Sequence, residues 1–305
     1  MNVPVPSVFL GEDDYGRYVV LDGRQRLTAV SQFLANEFEL RGLRVWAELN
    51  GCRFSDLKKR KLERALTRRF LPAVLILKES SPEVKYDVFD RLNTGGMVAK
   101  PMEIRNAIYR GGFSQLLHEL SEYPSFLRLW NIPTGGDDRL RSRLYRRMDD
   151  LELVLRFFAL KDRAEHKRSG GTFESYLNHF MGHRNRQYAD EPDLKKRDRV
   201  LFQTACDCAW KIFGNDAFRK PRGNKKRSVK SAPYADALLA ALADLDPETV
   251  TDQFAQSLRR ELESVYSKDQ EFRKSMGSGT NGRGATDYRI KTVRELVDKL
   301  GGRKR

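Results

Sequence analysis

The sequence predicts an α+β protein in which a small mixed α/β domain precedes a mostly α-helical one. Before about residue 114, short runs of β-branched and apolar residues alternate with helical patterns. Beyond that point, apolar residues recur only at helical spacing. A chain of 305 residues is long enough for two ordinary domains. We therefore predict one domain over residues 1–112 and a basic helical domain over residues 113–305.

The N-terminal elements follow from local patterns. Apolar runs bounded by polar or Gly-containing turns predict strands at 8–10, 18–21, 43–49 and 73–77, the last of them buried. A helix is predicted behind Asp22-Gly23, and Ser55 is expected to cap a strongly basic helix that continues to Arg69. Pro82 predicts the start of a helix that ends near Leu92. A further helix is predicted over 101–109.

The C-terminal elements are predicted by apolar residues at helical spacing. Leu151, Val154, Leu155 and Phe158 fall at i, i+3, i+4 and i+7, which is one face of a helix. Similar patterns predict helices over 172–182, 194–213, 233–245, 248–275 and 286–300. The Gly-, Pro-, Lys- and Arg-rich stretch over 214–232 predicts a loop.

Composition narrows the class of partner. The chain carries 57 Lys and Arg against 42 Asp and Glu, a formal charge of +15, which favours polyanions such as nucleic acid. Cys52, Cys206 and Cys208 form no C-x-x-C or Cys/His cluster, so neither a disulfide framework nor a zinc site is expected. With neither a signal-peptide pattern nor an apolar run of about 18 residues, we expect a cytoplasmic protein without a membrane partner.

The first candidate site is the run Asp22-Gly23-Arg24-Gln25-Arg26, placed between a predicted strand and a predicted helix. A helix N-terminus presents unpaired N–H groups and a partial positive charge, and arginine forks match phosphate oxygens. Gln25 can orient a water molecule, and Asp22 can either hold magnesium or cap the helix. Taken alone, the same residues also fit an ordinary Asp-Gly turn with solvated arginines.

These residues resemble the DGQQR motif of the GmrSD-type restriction endonuclease N-terminal domain family. Gly23, Arg26 and Ala29 also match the G-x-x-R-x-x-A pattern of ParB-like nucleotide-binding proteins. The resemblance implies a ParB/sulfiredoxin-like fold and a motif that binds and hydrolyses a nucleoside triphosphate with Mg²⁺. Arg24 stands where the family usually has Gln, a departure that bears on the hydrolysis rate and on base preference.

A second block, Phe89 to Gly96 followed by Pro101 to Asn106, resembles the family's F-x-x-x-N-x-x-G and E-[IL]-R-N patterns. In isolation it would be a helix stop and a solvated first-turn carboxylate. With the first motif, it implies catalytic roles for Asp22 and Gln25 and a metal site at Asp22 and Glu103. The implied nucleotide-binding residues are Gly23, Arg24, Arg26, Thr28, Asn93, Thr94, Gly95, Gly96, Glu103, Arg105 and Asn106.

Basic runs predict contact with the phosphate backbone of DNA, without a base-reading motif. The predicted contact residues are Lys58, Lys59, Arg60, Lys61, Arg219, Lys220, Arg222, Lys225, Lys226 and Arg227. A third cluster of arginines spans 139–147. Members of the family usually begin with a further segment, so we expect either that the start is truncated or that another chain supplies the missing edge. None of the four histidines, His118, His166, His179 and His183, stands in an HNH-like context, so nuclease chemistry is expected in a separate chain.

The leading functional hypothesis is a triphosphate-hydrolysing sensor or regulator in a prokaryotic restriction-like, anti-phage defence system that acts on DNA. The alternative is a ParB-like switch that binds nucleotide and DNA but barely hydrolyses the nucleotide. A direct ParB-like nuclease ranks last, because no compact carboxylate site is visible in the sequence.

Overall fold

The computed structural model describes residues 5, 7–12, 16–77, 79–81, 84–88, 100–161, 171–221, 229–277 and 280–301. The chain divides into two compact units, Met1–Val98 and Ala99–Arg305. The described strands lie in the first unit, and the second is built from helices. The predicted α+β class is therefore confirmed, whereas the predicted domain boundary at residue 112 stays a prediction.

A three-stranded mixed sheet forms the N-terminal unit's framework. It consists of β1 (Val8–Glu12), β2 (Tyr18–Asp22) and β3 (Ala73–Ile76), in the order β2-β1-β3. The central strand β1 pairs antiparallel with β2 and parallel with β3. The strands predicted at 8–10, 18–21 and 73–77 are thus confirmed, and their β-branched and apolar residues account for them.

The predicted burial of the third strand is wrong. Ala73, Val74 and Leu75 are exposed, and only Ile76 is buried. Helix α1 (Arg24–Leu34) buries one of its residues, Phe33, and Phe33 packs in a separate small core instead of on the strand. The other buried members of that core are Leu49, Cys52, Phe54 and Leu57.

Two predictions between residues 43 and 69 are also wrong. Residues 43–49 form bends and a short 3-10 turn, Ala47–Leu49, instead of a strand. The basic helix is two helices, α2 (Phe54–Lys59) and α3 (Glu63–Thr67), because Lys61 has the left-handed φ of 58° that ends the first of them. Ser55 lies inside α2, and the Asp56 carboxylate accepts the Arg53 N–H at 3.0 Å at its start.

The predicted helix over 101–109 is present as α4 (Pro101–Ile108). Residues 84–88 are helical, in agreement with the helix predicted behind Pro82; its other residues from Pro82 to Leu92 lie outside the described part of the chain. Four helices between residues 112 and 146 were not individually predicted. They are α5 (Gly112–Ser121), α6 (Pro124–Trp130), α7 (Gly136–Arg141) and α8 (Arg143–Arg146).

The remaining helices agree with the predicted pattern except at one break. They are α9 (Asp149–Lys161), α10 (Phe173–Asp190), α11 (Pro192–Phe213), α12 (Ala232–Leu242), α13 (Asp252–Lys268), α14 (Gln270–Ser275) and α15 (Arg283–Lys299). The helix predicted over 248–275 is interrupted at Asp269, whose carboxylate accepts the Phe272 N–H at 2.9 Å and so caps a new helix.

The core of the helical unit is rich in aromatic side chains. The predicted face of α9 is buried as expected, and its Phe158 ring meets the rings of Phe113 and Phe202 at centroid distances of 5.5 and 6.0 Å. Such aromatic contacts stabilise a core beyond the burial of their area. In the described part of the chain, no helix is long and apolar enough to cross a lipid bilayer.

Candidate nucleotide site and basic surfaces

Gly23 joins β2 to α1 in a conformation that favours glycine. Its φ is 90° and its ψ is 11°, which lie in the left-handed region, where a residue with a side chain is strained. A Cβ placed on Gly23 would lie 2.6 Å from Val8 Cγ1, a distance that nonbonded carbon atoms do not reach. The glycine therefore lets α1 begin directly against β1, which fixes where the helix N-terminus lies relative to the sheet.

Arg26 and Asp22 form an ion pair across the first turn of α1. Arg26 Nη2 donates to Asp22 Oδ2 at 2.5 Å, and Arg26 Nη1 donates to the Ser7 carbonyl at 3.1 Å. Both side chains are partly exposed. Arg26 thus stabilises the β1–β2–α1 junction and at the same time offsets the charge of the Asp22 carboxylate.

Arg24, Gln25 and Thr28 extend into solvent from the same turn and the next. Arg24 has no ion-pair or hydrogen-bond partner for its side chain among the described residues. The first intrahelical bond runs from the Leu27 N–H to the Gly23 carbonyl, at 2.9 Å. The N–H groups before Leu27 therefore precede the helix's own hydrogen-bond ladder and suit an anionic ligand.

The second motif is described only from Lys100 onwards. Asn93, Thr94, Gly95 and Gly96 lie outside the described residues, so their predicted convergence with the first motif stays a prediction. Glu103 lies in the first turn of α4. One of its oxygens accepts the Lys100 N–H at 2.6 Å, and the other lies 3.6 Å from Arg147 Nη1. Its carboxylate is therefore used within the helical unit to cap α4.

Arg105 and Asn106 also have partners within the helical unit. The Arg105 side chain is 1% exposed; its Nε donates to Asn178 Oδ1 at 2.6 Å and its Nη1 to Glu152 Oε2 at 3.2 Å. Asn106 Oδ1 lies 2.9 Å from His118 Nε2. These contacts join α4 to α5, α9 and α10, a role that the sequence motif alone did not indicate.

The predicted metal site rests on Asp22 and Glu103. Asp22 fits the role in part, because it is partly exposed beside the helix N-terminus and only its Oδ2 pairs with Arg26. Glu103 fits less well, since both of its oxygens have partners. In the described part of the chain, no group of three or more His, Cys, Asp or Glu side chains could hold a metal ion.

The predicted basic run at 58–61 forms an exposed surface at the end of α2. Lys58 lies over the Phe54 ring at 5.0 Å, and Lys59 pairs with Asp56 at 3.4 Å. Arg60 donates to the Glu48 carbonyl at 3.1 Å. Lys61 is exposed in its left-handed conformation. The four side chains thus present positive charge to solvent, although Lys59 and Arg60 already contact nearby oxygen atoms.

The second basic surface is described only at its ends. Arg219 and Lys230 pair in an antiparallel bridge, while Lys220 donates to the Met276 carbonyl. Arg222, Lys225, Lys226 and Arg227 lie outside the described residues. In the cluster over 139–147, Arg139 pairs with Glu122 and lies over the Tyr145 ring at 4.5 Å.

The geometry is that of an α+β protein in which a helix with two arginines in its first turn begins against a small mixed sheet. Residues 1–110 match the family described as GmrSD restriction endonuclease, N-terminal domain. This match agrees with the resemblance to the GmrSD-type N-terminal domain family that the Asp22–Arg26 motif predicts. The match supports a restriction-type anti-phage system that acts on DNA as the setting of the chain. No curated protein and no solved structure matches the chain.

Proposed function

We propose that the chain is a nucleoside-triphosphate-binding and hydrolysing sensor or regulator of its restriction-type system. The observation that carries the proposal is the junction at Gly23. It combines a helix N-terminus, an arginine without a side-chain partner among the described residues, and a second arginine held against a carboxylate. Backbone N–H donors and guanidinium groups in this combination bind phosphate groups.

In this proposal each side chain of the motif has a separate task. Arg24 pairs with a phosphate group, and the backbone N–H groups of the first turn bind its oxygens. Arg26 keeps the Asp22 carboxylate from repelling the phosphates, through the 2.5 Å ion pair. Gln25 is exposed beside them and orients the attacking water, while Thr28, one turn later, offers a hydroxyl.

A bound magnesium ion would neutralise charge on the phosphates. Asp22 is the carboxylate of this motif that would hold it, through the oxygen that Arg26 does not occupy. The roles that the family motif implies for Glu103, Arg105 and Asn106, and for Asn93 to Gly96, stay predictions. Because Glu103 and Arg105 have partners in the helical unit, we expect their substitution to change stability as well as binding.

Calorimetric titration with a non-hydrolysable triphosphate tests the phosphate site. We expect Arg24→Ala to weaken binding roughly tenfold, as the loss of one exposed charge-assisted contact would. Arg26→Ala should abolish detectable binding, because it removes a cation and also leaves Asp22 unpaired beside the phosphates. Arg64→Ala, an exposed arginine on α3, is the matched control and should bind as the parent does.

Steady-state phosphate release with Gln25→Ala tests hydrolysis separately. Gln25 carries no charge, so its loss should leave triphosphate affinity nearly unchanged and lower turnover. Binding by both Arg24→Ala and Arg26→Ala at the parental affinity would refute the phosphate site. Tight binding by the parent without any phosphate release, with and without DNA, would instead favour the nucleotide-dependent switch.

A further inference from the structure

A cleft in the helical unit combines an aromatic face with polar groups. It lies between α6 and α11 and has a volume of about 440 Å³, within the roughly 300–1,000 Å³ typical of ligand pockets. Its lining includes the Trp210 ring, the apolar side chains Leu127 and Ile132, and the amides Asn131 and Asn215. Leu127 and Ile132 are buried, so they form an apolar floor.

Two cations, Arg128 and Lys230, lie at the cleft. Arg128 lies over the Trp210 ring at 5.9 Å and is the one charged residue among the described residues that line the cleft. Lys230 donates to Asn131 Oδ1 at 3.1 Å and to the Leu129 carbonyl, which brings a second cation to the rim. Lys230 also pairs with Arg219 through the backbone, so the cleft adjoins the described end of the second basic surface.

The walls of the cleft are held in place by a polar contact between α11 and the start of α6. Asp207, one turn before Trp210, accepts hydrogen bonds from Tyr123 at 2.8 Å and from Ser125 at 2.5 Å. Both carboxylate oxygens are therefore occupied by hydroxyl groups. A preformed aromatic wall reduces the conformational entropy that a ligand must remove on binding.

We propose that this cleft binds one unpaired nucleobase of DNA, with the base stacked on Trp210 and the adjoining phosphate paired with Arg128. A planar base suits an indole face, and amide side chains such as Asn131 and Asn215 offer donors and acceptors to its edge. A cation beside the ring suits the phosphate that accompanies every base. This inference rests on the proposed action on DNA, and it adds a preference for single-stranded or locally unpaired DNA.

The test uses the full chain and three fluorescent DNAs: a single strand of about 16 nucleotides, its paired duplex, and a duplex with one unpaired thymine. Anisotropy titrations are run with the parent, Trp210→Leu, Trp210→Phe, Arg128→Gln and Lys196→Gln. Lys196 is exposed and paired with Asp193 on α11, so its variant controls for the loss of one surface charge. Circular dichroism melts establish that each variant is folded.

We expect Trp210→Leu to weaken binding to the single strand and to the bulged duplex by at least about fivefold, the lower limit of one stacking contact. Trp210→Phe should recover part of the loss because it restores an aromatic face. Arg128→Gln should weaken binding to the same two DNAs. Binding to the paired duplex should be unchanged in the Trp210 variants, and Lys196→Gln should match the parent on all three.

Parental affinity of Trp210→Leu and Arg128→Gln for every DNA would overturn the base cleft while leaving DNA binding intact. An equal loss on the paired duplex would also overturn it, since stacking of an unpaired base would not be the cause. If the parent binds none of the three DNAs, the proposed action on DNA fails too. A free deoxynucleoside monophosphate that quenches tryptophan fluorescence in the parent but not in Trp210→Phe, when DNA does not, would replace the proposal with a free-nucleotide site.

Discussion

Asp150 is a buried carboxylate at the start of α9. It is 2% exposed, and burial raises its pKa to about 6. Its Oδ1 accepts the Leu151 N–H at 2.9 Å, which only partly offsets the cost of burying a charge. Because the folded-state pKa lies above the unfolded value of 3.8, the folded protein takes up a proton between these two pH values. The resulting stabilisation is complete below about pH 4 and is lost as the pH rises through about 6.

Asp150→Asn should therefore stabilise the protein at neutral pH and leave its stability nearly unchanged near pH 4. The amide keeps an acceptor for the Leu151 N–H but carries no charge to desolvate. We expect a gain in unfolding free energy on the order of 2 kcal/mol at pH 7.5 after allowance for solvent screening. Urea unfolding of both proteins at pH 4 and 7.5 measures the difference, and an equal difference at the two pH values would contradict the assignment.

Gly23 and Arg26 show how far single residues could be predicted. The Asp-Gly pair predicts a turn before a helix, and the turn is there. The contact that requires a glycine, with Val8 Cγ1, depends on the pairing of β1 with β2 and is not visible in local sequence. The same holds for Arg26, whose partner Asp22 is local but whose bond to the Ser7 carbonyl joins residues 19 positions apart.

At the scale of elements, one buried carboxylate joins three helices. Asp236 on α12 accepts from Arg156 of α9 at 3.1 and 2.5 Å and from Arg289 of α15 at 3.1 Å. Burial works to lower the pKa of the Arg156 guanidinium, but the Asp236 charge outweighs it and raises that pKa. Two buried guanidinium groups thus share hydrogen bonds to one buried carboxylate, and Glu152 adds a further negative charge that raises the pKa of Arg156.

Asp236→Asn should destabilise the helical unit strongly. The side chain keeps its shape but loses the buried negative charge that both arginines contact, a loss of about 3–5 kcal/mol for a buried ion pair. Glu295→Gln, which removes the exposed partner of Lys291, is the control and should change stability by less than about 0.5 kcal/mol. Urea unfolding followed by circular dichroism compares the two. Similar midpoints for Asp236→Asn and the parent would show that the charge is not needed.

Long helices were predictable because their signal is local, whereas helix breaks were not. The apolar spacing in α9 sufficed to place its buried face. The break at Lys61 follows from tertiary contacts around it, including the bond from Arg60 to the Glu48 carbonyl. Likewise, the exposure of β3 could not be read from its apolar residues, since α1 packs Phe33 against residues 49–57.

For the whole molecule, the count of 57 Lys and Arg overstates the cations that DNA can use. Several arginines are buried in ion pairs, among them Arg105, Arg156 and Arg184. Composition predicted a polyanionic partner, and the family match agrees with DNA. Composition could not show which basic residues are exposed, because that depends on how the chain folds.

Binding to paired duplex DNA should weaken steeply with salt and vary little with sequence. The exposed run at 58–61 offers charge without a base-reading element, so counterion release should dominate its contribution to affinity. The double variant Lys58→Gln with Lys61→Gln should reduce the slope of log K against log salt by up to about 2, because each lysine neutralises one phosphate. Lys291→Gln with Lys299→Gln removes two cations that pair with Glu295 and Glu261. This double variant is the control, and its slope should equal that of the parent.

Anisotropy titrations at four salt concentrations, on two duplexes of unrelated sequence, provide the slopes. An affinity that does not change with salt, or a strong preference for one duplex, would show that backbone charge is not what this surface uses.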